Sequence, residues 1–271
     1  LQLPKDNDKL SACRTLSMLL AITREISPAI AKCELTYLAR EPIDLELARA
    51  QHRQYTECLA QLGCTVQQLP AEAELPDSVF VEDTAVVLDE VALITRPGAD
   101  SRKPETESTA RALAPYRQLL RLTAPGALDG GDVLRCGREL FVGLSGRSNQ
   151  AGIDQMTSLL RPFGYRVTSV NVNGCLHLKS AVTEVAKNTL LINSRWIDPA
   201  PLSGKKLIEV DDAEPFGANA LLINDTVLYP SHFPATRRIL EANGIEVITV
   251  DASELGKAEG GVTCCSLIFN V

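Results

Sequence analysis

The chain has 271 residues, a formal net charge of −7 and an apolar content of 45%. That length gives one large domain or two small ones with a substantial core. The acidic balance excludes a nucleic-acid surface, which needs a basic excess, and no apolar run is long enough to span a membrane.

Residues 1–16, opening LQLPKDNDKL, are polar and read as a loosely ordered leader ahead of a single domain over 17–271. TLSMLLAIT (15–23) has the apolar length of a signal-peptide core, but it lacks a small-residue cleavage site and REISPAI follows at once. It is read as a buried first strand. DLELARAQHRQYTECLAQLG (44–63) is a helix with Leu47, Ala50, Tyr55, Cys58, Leu59 and Leu62 close to helical spacing, and the strand CTVQQLP follows. Residues 82–122 give DTAVVL, a turn at Asp89-Glu90, VALITRP, a helix over Glu105–Leu120 and a weak last strand.

The same plan recurs further on. Residues 131–170 give DVLRC, a turn at Gly137-Arg138, ELFVGL, a helix around Ile153–Leu160 ending near Gly164, and YRVTSV. Residues 180–210 give AVTEVA, a turn at Lys187-Asn188, TLLINS, a shorter helical segment and KLIEV. Residues 217–250 give an apolar run, a turn at Asn224-Asp225, a second apolar run, a helix ending at Asn243-Gly244, and IEVITV. The closing CSLIFNV pairs with SMLLAIT to complete a unit begun at the other end of the chain.

These are about five strand–strand–helix–strand units of roughly 40–50 residues, the size range of repeat architectures. The last closes the first, as a ring requires, and closure removes sheet edges. The predicted fold is therefore an α/β propeller of pseudo-fivefold ββαβ units. The start of every unit then gathers around one central axis. An ordinary α/β domain with look-alike hairpins is the plainer alternative.

The unit starts carry reactive groups. LPDSVFVED brings Asp77, Phe80, Glu82 and Asp83; LDGGD brings Asp129 and Asp132; CLHLKS brings His177; Asn219 opens the next unit, and Thr263, Cys264 and Cys265 open the closing strand. Cysteine is a nucleophile only as the thiolate, and histidine can give a proton to a leaving amine and then take one from water. Clustered carboxylates repel a thiolate unless the substrate brings positive charge. A guanidinium does so, and it pairs with carboxylates in a two-pronged way. The implied chemistry is displacement of one guanidinium nitrogen by a cysteine, then hydrolysis.

The stretches LPDSVFVEDTAVV, ALITRPG, LDGGDVL, FVGLSGRSNQ, LHLKS and GGVTCCS together resemble the dimethylarginine dimethylaminohydrolase family, guanidino-group-modifying enzymes of the five-bladed pentein fold. The resemblance runs from about residue 20 to the end of the chain. It implies hydrolysis of asymmetric dimethylarginine and monomethylarginine to citrulline plus dimethylamine or methylamine, through a covalent thiouronium intermediate and with no metal or cofactor. By motif, Cys264 is the nucleophile, His177 the general acid/base and Asp129 its orienting partner. Glu82 and Asp83 hold the guanidinium, and Arg96 and Arg147 the substrate carboxylate. Asp77 lies near the amino-acid end, with Leu35, Phe80, Ala258 and Glu259 as further substrate contacts. Leu35 matches a lid position, although its loop, KCELTYLAREP, is less like the family's. Five residues before the nucleophile, Glu259 stands where the animal enzymes have Asp, which keeps the charge and adds one methylene.

The remaining signals read plainly. The eight cysteines are scattered with no CxxC pair and no Cys–His ligand spacing, which argues against a structural zinc and for reduced thiols in the cytoplasm. A soft metal such as zinc is expected only as an inhibitor bound at Cys264. His52 and His232 are ordinary packing or surface residues. GLSGRSNQAG lacks the Gly-Lys-Ser/Thr ending of a phosphate loop. Rival functions are a deiminase or amidinotransferase acting on another arginine derivative and, more remotely, a non-enzymatic propeller that binds a partner. The arginines argue against a substrate without a carboxylate, and a non-enzymatic propeller need not keep thiol, imidazole and carboxylates together.

Overall fold

A computed structural model of the protein describes residues 18–271. The predicted leader over 1–16 lies outside the described residues. The first blade opens with β1 (Leu19–Arg24), crosses through α1 (Leu45–Gln61) and returns in β2 (Cys64–Leu69), parallel to β1. Asp44 caps α1, its carboxylate accepting from the Glu46 and Leu47 amides at 3.0 Å. Four helix-start amides lack intrahelical partners, and this cap supplies two of them.

The second blade is β3 (Ala85–Val87), β4 (Val91–Ile94), α2 (Glu105–Leu113) and β5 (Gln118–Arg121). The third is β6 (Val133–Cys136), β7 (Glu139–Leu144), α3 (Gln150–Leu160) and β8 (Arg166–Asn171). The fourth follows a single helical turn, α4 (Leu178–Ala181), with β9 (Val182–Ala186), β10 (Thr189–Ile192) and β11 (Lys206–Glu209). The fifth is β12 (Leu221–Ile223), β13 (Thr226–Pro230), α5 (Pro234–Ala242) and β14 (Glu246–Val250). After α6 (Ser253–Gly256), the last strand β15 (Leu267–Asn270) pairs antiparallel with β1, Ile22 opposite Leu267.

Every sheet thus has three strands, an antiparallel pair and a parallel crossover; the antiparallel pair is a hairpin in four sheets and β15 with β1 in the fifth. Left-handed residues turn three of the hairpins: Gly137 (φ 65°), Asn188 (φ 58°) and Asn224 (φ 55°). Glycine and asparagine are the residues that tolerate this conformation. The first strands lie side by side around the axis, β15 with β3, β6 with β9 and β9 with β12. Between successive blades sits an aliphatic cluster, for example Leu93, Leu140, Val142 and Met156 between the second and third. A matching cluster of Ala21, Tyr55, Leu59 and Leu228 joins the fifth blade to the first, so the ring closes with a core as continuous there as elsewhere. Burying one such leucine contributes about 1.5–3 kcal/mol.

Three local expectations change. The helix expected over Glu105–Leu120 stops at Leu113, because Pro115 cannot continue it, and residues from Gln118 form β5 against β4 instead. In α1, Leu47 is 44% exposed and Ala50 faces solvent, while Gln51 and His52 are buried. Gln51 is turned inward by hydrogen bonds to Ser253 Oγ at 2.8 Å and from the Glu254 amide at 3.0 Å. The short helical segment of the fourth blade is a single 3-10 turn at Ala200–Leu202.

Candidate active site

One end of the axis collects the loops that precede the first strands. LPDSVFVED ends in a 3-10 turn over Val81–Thr84, which points Asp83 inward and ties the turn to the last loop through the Glu82 amide, 3.1 Å from the Cys264 carbonyl. LDGGD forms a second such turn over Gly130–Asp132, with Asp129 just before it and fully buried. His177 immediately precedes α4. Its Nε2 is 2.9 Å from Asp129 Oδ2, and its Nδ1 is 3.9 Å from Asp83 Oδ1. Gly131 makes this approach feasible. A Cβ there would lie 2.7 Å from both His177 Nδ1 and Asp83 Oδ1, and the Gly131 amide donates to Asp83 at 2.9 Å.

The acids are held by fixed partners. Asp129 Oδ1 accepts from the Gly98 amide at 2.8 Å. Asp132 accepts from Ser145 and Ser148 hydroxyls at 2.6 Å each and from the Leu178 amide at 2.8 Å, which locks the chain just after His177. Asp83 pairs with Arg102 at 2.5 Å, and Arg102 also donates to Glu105 and to the Asp77 and Phe80 carbonyls. Glu82 pairs with Lys179 and accepts from Thr263 Oγ1 at 2.8 Å.

Burial disfavours the charge on Asp83, yet the neighbouring His177 and Arg102 charges outweigh it and hold its pKa down to about 2. Burial likewise disfavours the His177 cation, but Asp83, the hydrogen bond to Asp129 and the Asp132 carboxylate raise its pKa to about 9. The imidazole is therefore protonated at neutral pH. Burial, then Glu82 and Asp83, push the Cys264 thiol up to about 12. In the free protein that thiol is neutral.

The two cysteines do not start a strand. Both lie in a turn ahead of β15, so strand alternation is not what separates them. The turn is fixed from two sides. Thr263 and Asn219 exchange hydrogen bonds, and Tyr55 of α1 donates to the Val262 carbonyl at 2.8 Å and meets Ser266 Oγ at 2.7 Å. Cys265 is buried in the cluster between the fifth and first blades. Cys264 keeps a partly open face on a cavity of about 440 Å³, which it lines with Tyr37, Leu38, Phe216, Glu259 and Gly261.

The residues expected at the amino-acid end of a substrate lie around the segment 33–40. Arg147 Nη2 donates to Thr36 Oγ1 at 3.2 Å, Asp77 accepts from the Glu34 amide at 3.2 Å, and the Glu259 carboxylate accepts from the Thr36, Tyr37 and Leu38 amides. Arg96 lies on the loop beside Arg147, since Gly98 packs on the Arg147 backbone, but its own Nη1 donates to the Gly126 carbonyl at 3.1 Å. Leu35 packs into the core with Phe80 and Ala258. Phe80 lies so close to Gly260 that a Cβ there would be 2.2 Å from its ring.

Two partners escaped sequence reasoning. Arg102 is the buried counter-charge of Asp83; its only local signal is the Glu105 three residues on. Lys179 sits in LHLKS beside His177 yet engages Glu82, 97 positions away. Among the described residues, Asp83, Asp129 and His177 also come close enough to ligate a cation, a grouping that ligand spacing did not reveal. Those atoms already bond one another, Arg102 and Gly131.

A ring of five ββαβ blades with a thiol, an imidazole and buried carboxylates at one end of its axis defines a pentein-type enzyme. The comparisons with known proteins agree and are more specific. The family model described as N,N dimethylarginine dimethylhydrolase, eukaryotic, matches residues 36–269. An N(G),N(G)-dimethylarginine dimethylaminohydrolase of Streptomyces coelicolor is 39% identical over 249 residues, covering 91% of this chain and 95% of that protein. The solved Pseudomonas aeruginosa enzyme, a Cys-to-Ser variant complexed with citrulline, superposes with a TM-score of 0.89 at 32% identity, covering 93% of this chain and 100% of that one. A dimethylarginine dimethylaminohydrolase solved as an adduct with S-methyl-L-thiocitrulline gives 0.88 at 31%, covering 94% and 100%. The chain belongs to the dimethylarginine dimethylaminohydrolase family. No helix among the described residues is long and apolar enough to cross a membrane.

Proposed function

We propose that the protein hydrolyses both asymmetric dimethylarginine and monomethylarginine to citrulline, releasing dimethylamine or methylamine, through a thiouronium bond to Cys264. The observation that carries this reading is the placement of the Cys264 thiol, which opens on a cavity and lies near buried Glu82 and Asp83, with His177 held 2.9 Å from Asp129. Related enzymes captured with citrulline and with a thiocitrulline adduct support the same chemistry.

In this mechanism the incoming guanidinium binds beside Glu82 and Asp83 and shares the Glu82 carboxylate with Lys179. The added positive charge lowers the thiol pKa, and Cys264 loses its proton to solvent. The thiolate attacks the guanidinium carbon. The carbon–nitrogen bond to the methylated amine breaks as His177 donates its proton to that nitrogen. Neutral His177 then takes a proton from water, the hydroxide adds to the thiouronium carbon, and as the carbon–sulfur bond breaks the added hydroxyl gives up its proton to the departing sulfur, leaving citrulline and the Cys264 thiol. Asp129 keeps the ring oriented throughout. Arg96 and Arg147 take the substrate carboxylate, Asp77 lies near its ammonium, and Leu35, Phe80, Ala258 and Glu259 complete the substrate's surroundings.

No step needs a metal, and zinc is expected to inhibit by capturing the Cys264 thiolate. A cytoplasmic location belongs to the same proposal, on the ground that the cysteines of the described residues are free thiols. The test is a panel of dimethylarginine, monomethylarginine, arginine and agmatine, with ureido product and released amine both measured. Turnover of the two methylated substrates well above the others is expected. Preferential release of ammonia from arginine, or turnover of agmatine alone, would replace the reading with a deiminase.

A further inference from the structure

The segment 33–40 forms no helix or strand, so its amides need partners from elsewhere. Three consecutive ones, Thr36, Tyr37 and Leu38, converge on the Glu259 carboxylate at 3.1, 2.5 and 2.6 Å. We propose that Glu259 is a positioning residue for the hydrolase reaction: its carboxylate latches this segment over the cavity that opens on Cys264. The inference rests on the hydrolase reading for the reaction served, but not for the latch.

Several independent features point the same way. Hydrogen bonds to an ionised acceptor are the strong ones, and a carboxylate has about four acceptor sites, so these contacts nearly saturate it. Glu259 also adopts φ 58°, a conformation disfavoured for any residue with a Cβ. A glycine would relax that backbone but remove the carboxylate. The segment's other ties are sparser: Thr36 Oγ1 to Arg147 at 3.2 Å, the Glu34 amide to Asp77 at 3.2 Å, and the Glu34 carboxylate to Ser101 at 2.6 Å. Arg40 folds the segment back on itself through the Ala31 and Cys33 carbonyls, 2.6 Å each.

Glu259 and Cys264 belong to one connection, and both line the cavity with Tyr37 and Leu38. Releasing the latch therefore changes access to the thiol. The side-chain length matters here. Aspartate at this position would stop about 1.5 Å short, the length of one carbon–carbon bond, and could not reach three amides without backbone movement.

The test is amide hydrogen exchange of residues 34–40 in the ligand-free wild type, Glu259→Gln and Glu259→Asp, with the amides of α1 and β1 as internal references. Both variants should exchange the segment roughly tenfold faster or more, with the references unchanged. Trypsin should also cut faster after Arg40, and kcat/KM should fall while a small alkylating reagent reaches Cys264 sooner. Unchanged exchange in both variants would overturn the latch. So would a rise in KM with the segment's protection intact, because that result leaves Glu259 a substrate contact alone. Exchange is read without substrate, so a failure of the hydrolase reading would leave this result standing, and the reverse.

Discussion

Replacing Glu82 with glutamine tests the electrostatics of the nucleophile. The Cys264 thiol has a pKa of about 12, raised by burial first and then by the Glu82 and Asp83 charges. At pH 7 the thiol is then overwhelmingly protonated, whereas an ordinary cysteine is a few per cent thiolate. Glu82→Gln keeps the shape and removes one like charge, a change worth about one to three pKa units at short range. It also leaves Lys179 without its carboxylate partner, which favours the thiolate further. Alkylation of the free protein by iodoacetamide, corrected with a Cys264→Ser background, should therefore speed up by about tenfold or more at fixed neutral pH. The wild-type rate should climb about tenfold per pH unit without a plateau up to about pH 10. An unchanged or slower rate in Glu82→Gln, or a wild-type plateau near neutrality, would refute the account of how the site holds its thiol.

Two further outcomes follow from other contacts. Cys264→Ser should nearly abolish turnover while still binding ligand, whereas Cys265→Ser should keep most activity and cost about 1–3 kcal/mol of stability by burying a hydroxyl in an apolar cluster; peptide mass mapping of a mechanism-based adduct on Cys265 would contradict the assignment. His177 has a folded pKa near 9 against 6.5 for the free side chain, so its charge stabilises the fold fully below about pH 6.5 and loses that contribution as pH rises towards 9. The stability difference between wild type and His177→Gln in urea titrations should therefore shrink by on the order of 2 kcal/mol over that window, and a pH-independent difference would count against a charged imidazole.

The ring was legible because four of the blades announce their hairpins locally. Gly137, Asn188 and Asn224 stand where left-handed turns are needed, and apolar runs flank each of them. The reactive groups were legible because they sit at the same place in each repeat. What failed was local geometry decided by a competing signal: Pro115 cut the predicted helix short, and polar partners pulled Gln51 inward in α1. The counter-charges were illegible for a different reason. Arg102 and Lys179 reach Asp83 and Glu82 across 19 and 97 positions, contacts that exist only once the ring has brought the loops together. A pattern of spacing holds no trace of them.

Those counter-charges also decide what the site can accept. Asp83, Asp129 and Asp132 are buried, and the structure balances them with His177 and Arg102 rather than leaving them unpaired. Glu82 is different, because its partner Lys179 belongs to a short helical turn and keeps some exposure. It is the acid with the most room to share its carboxylate with an external cation. An entering guanidinium that shares Glu82 with Lys179 adds a positive charge beside the thiol. An uncharged amide of similar shape would satisfy the same space but leave the thiol protonated. The arrangement therefore discriminates by charge at the moment of activation: a citrulline-like product, once formed, no longer sustains the thiolate that made it.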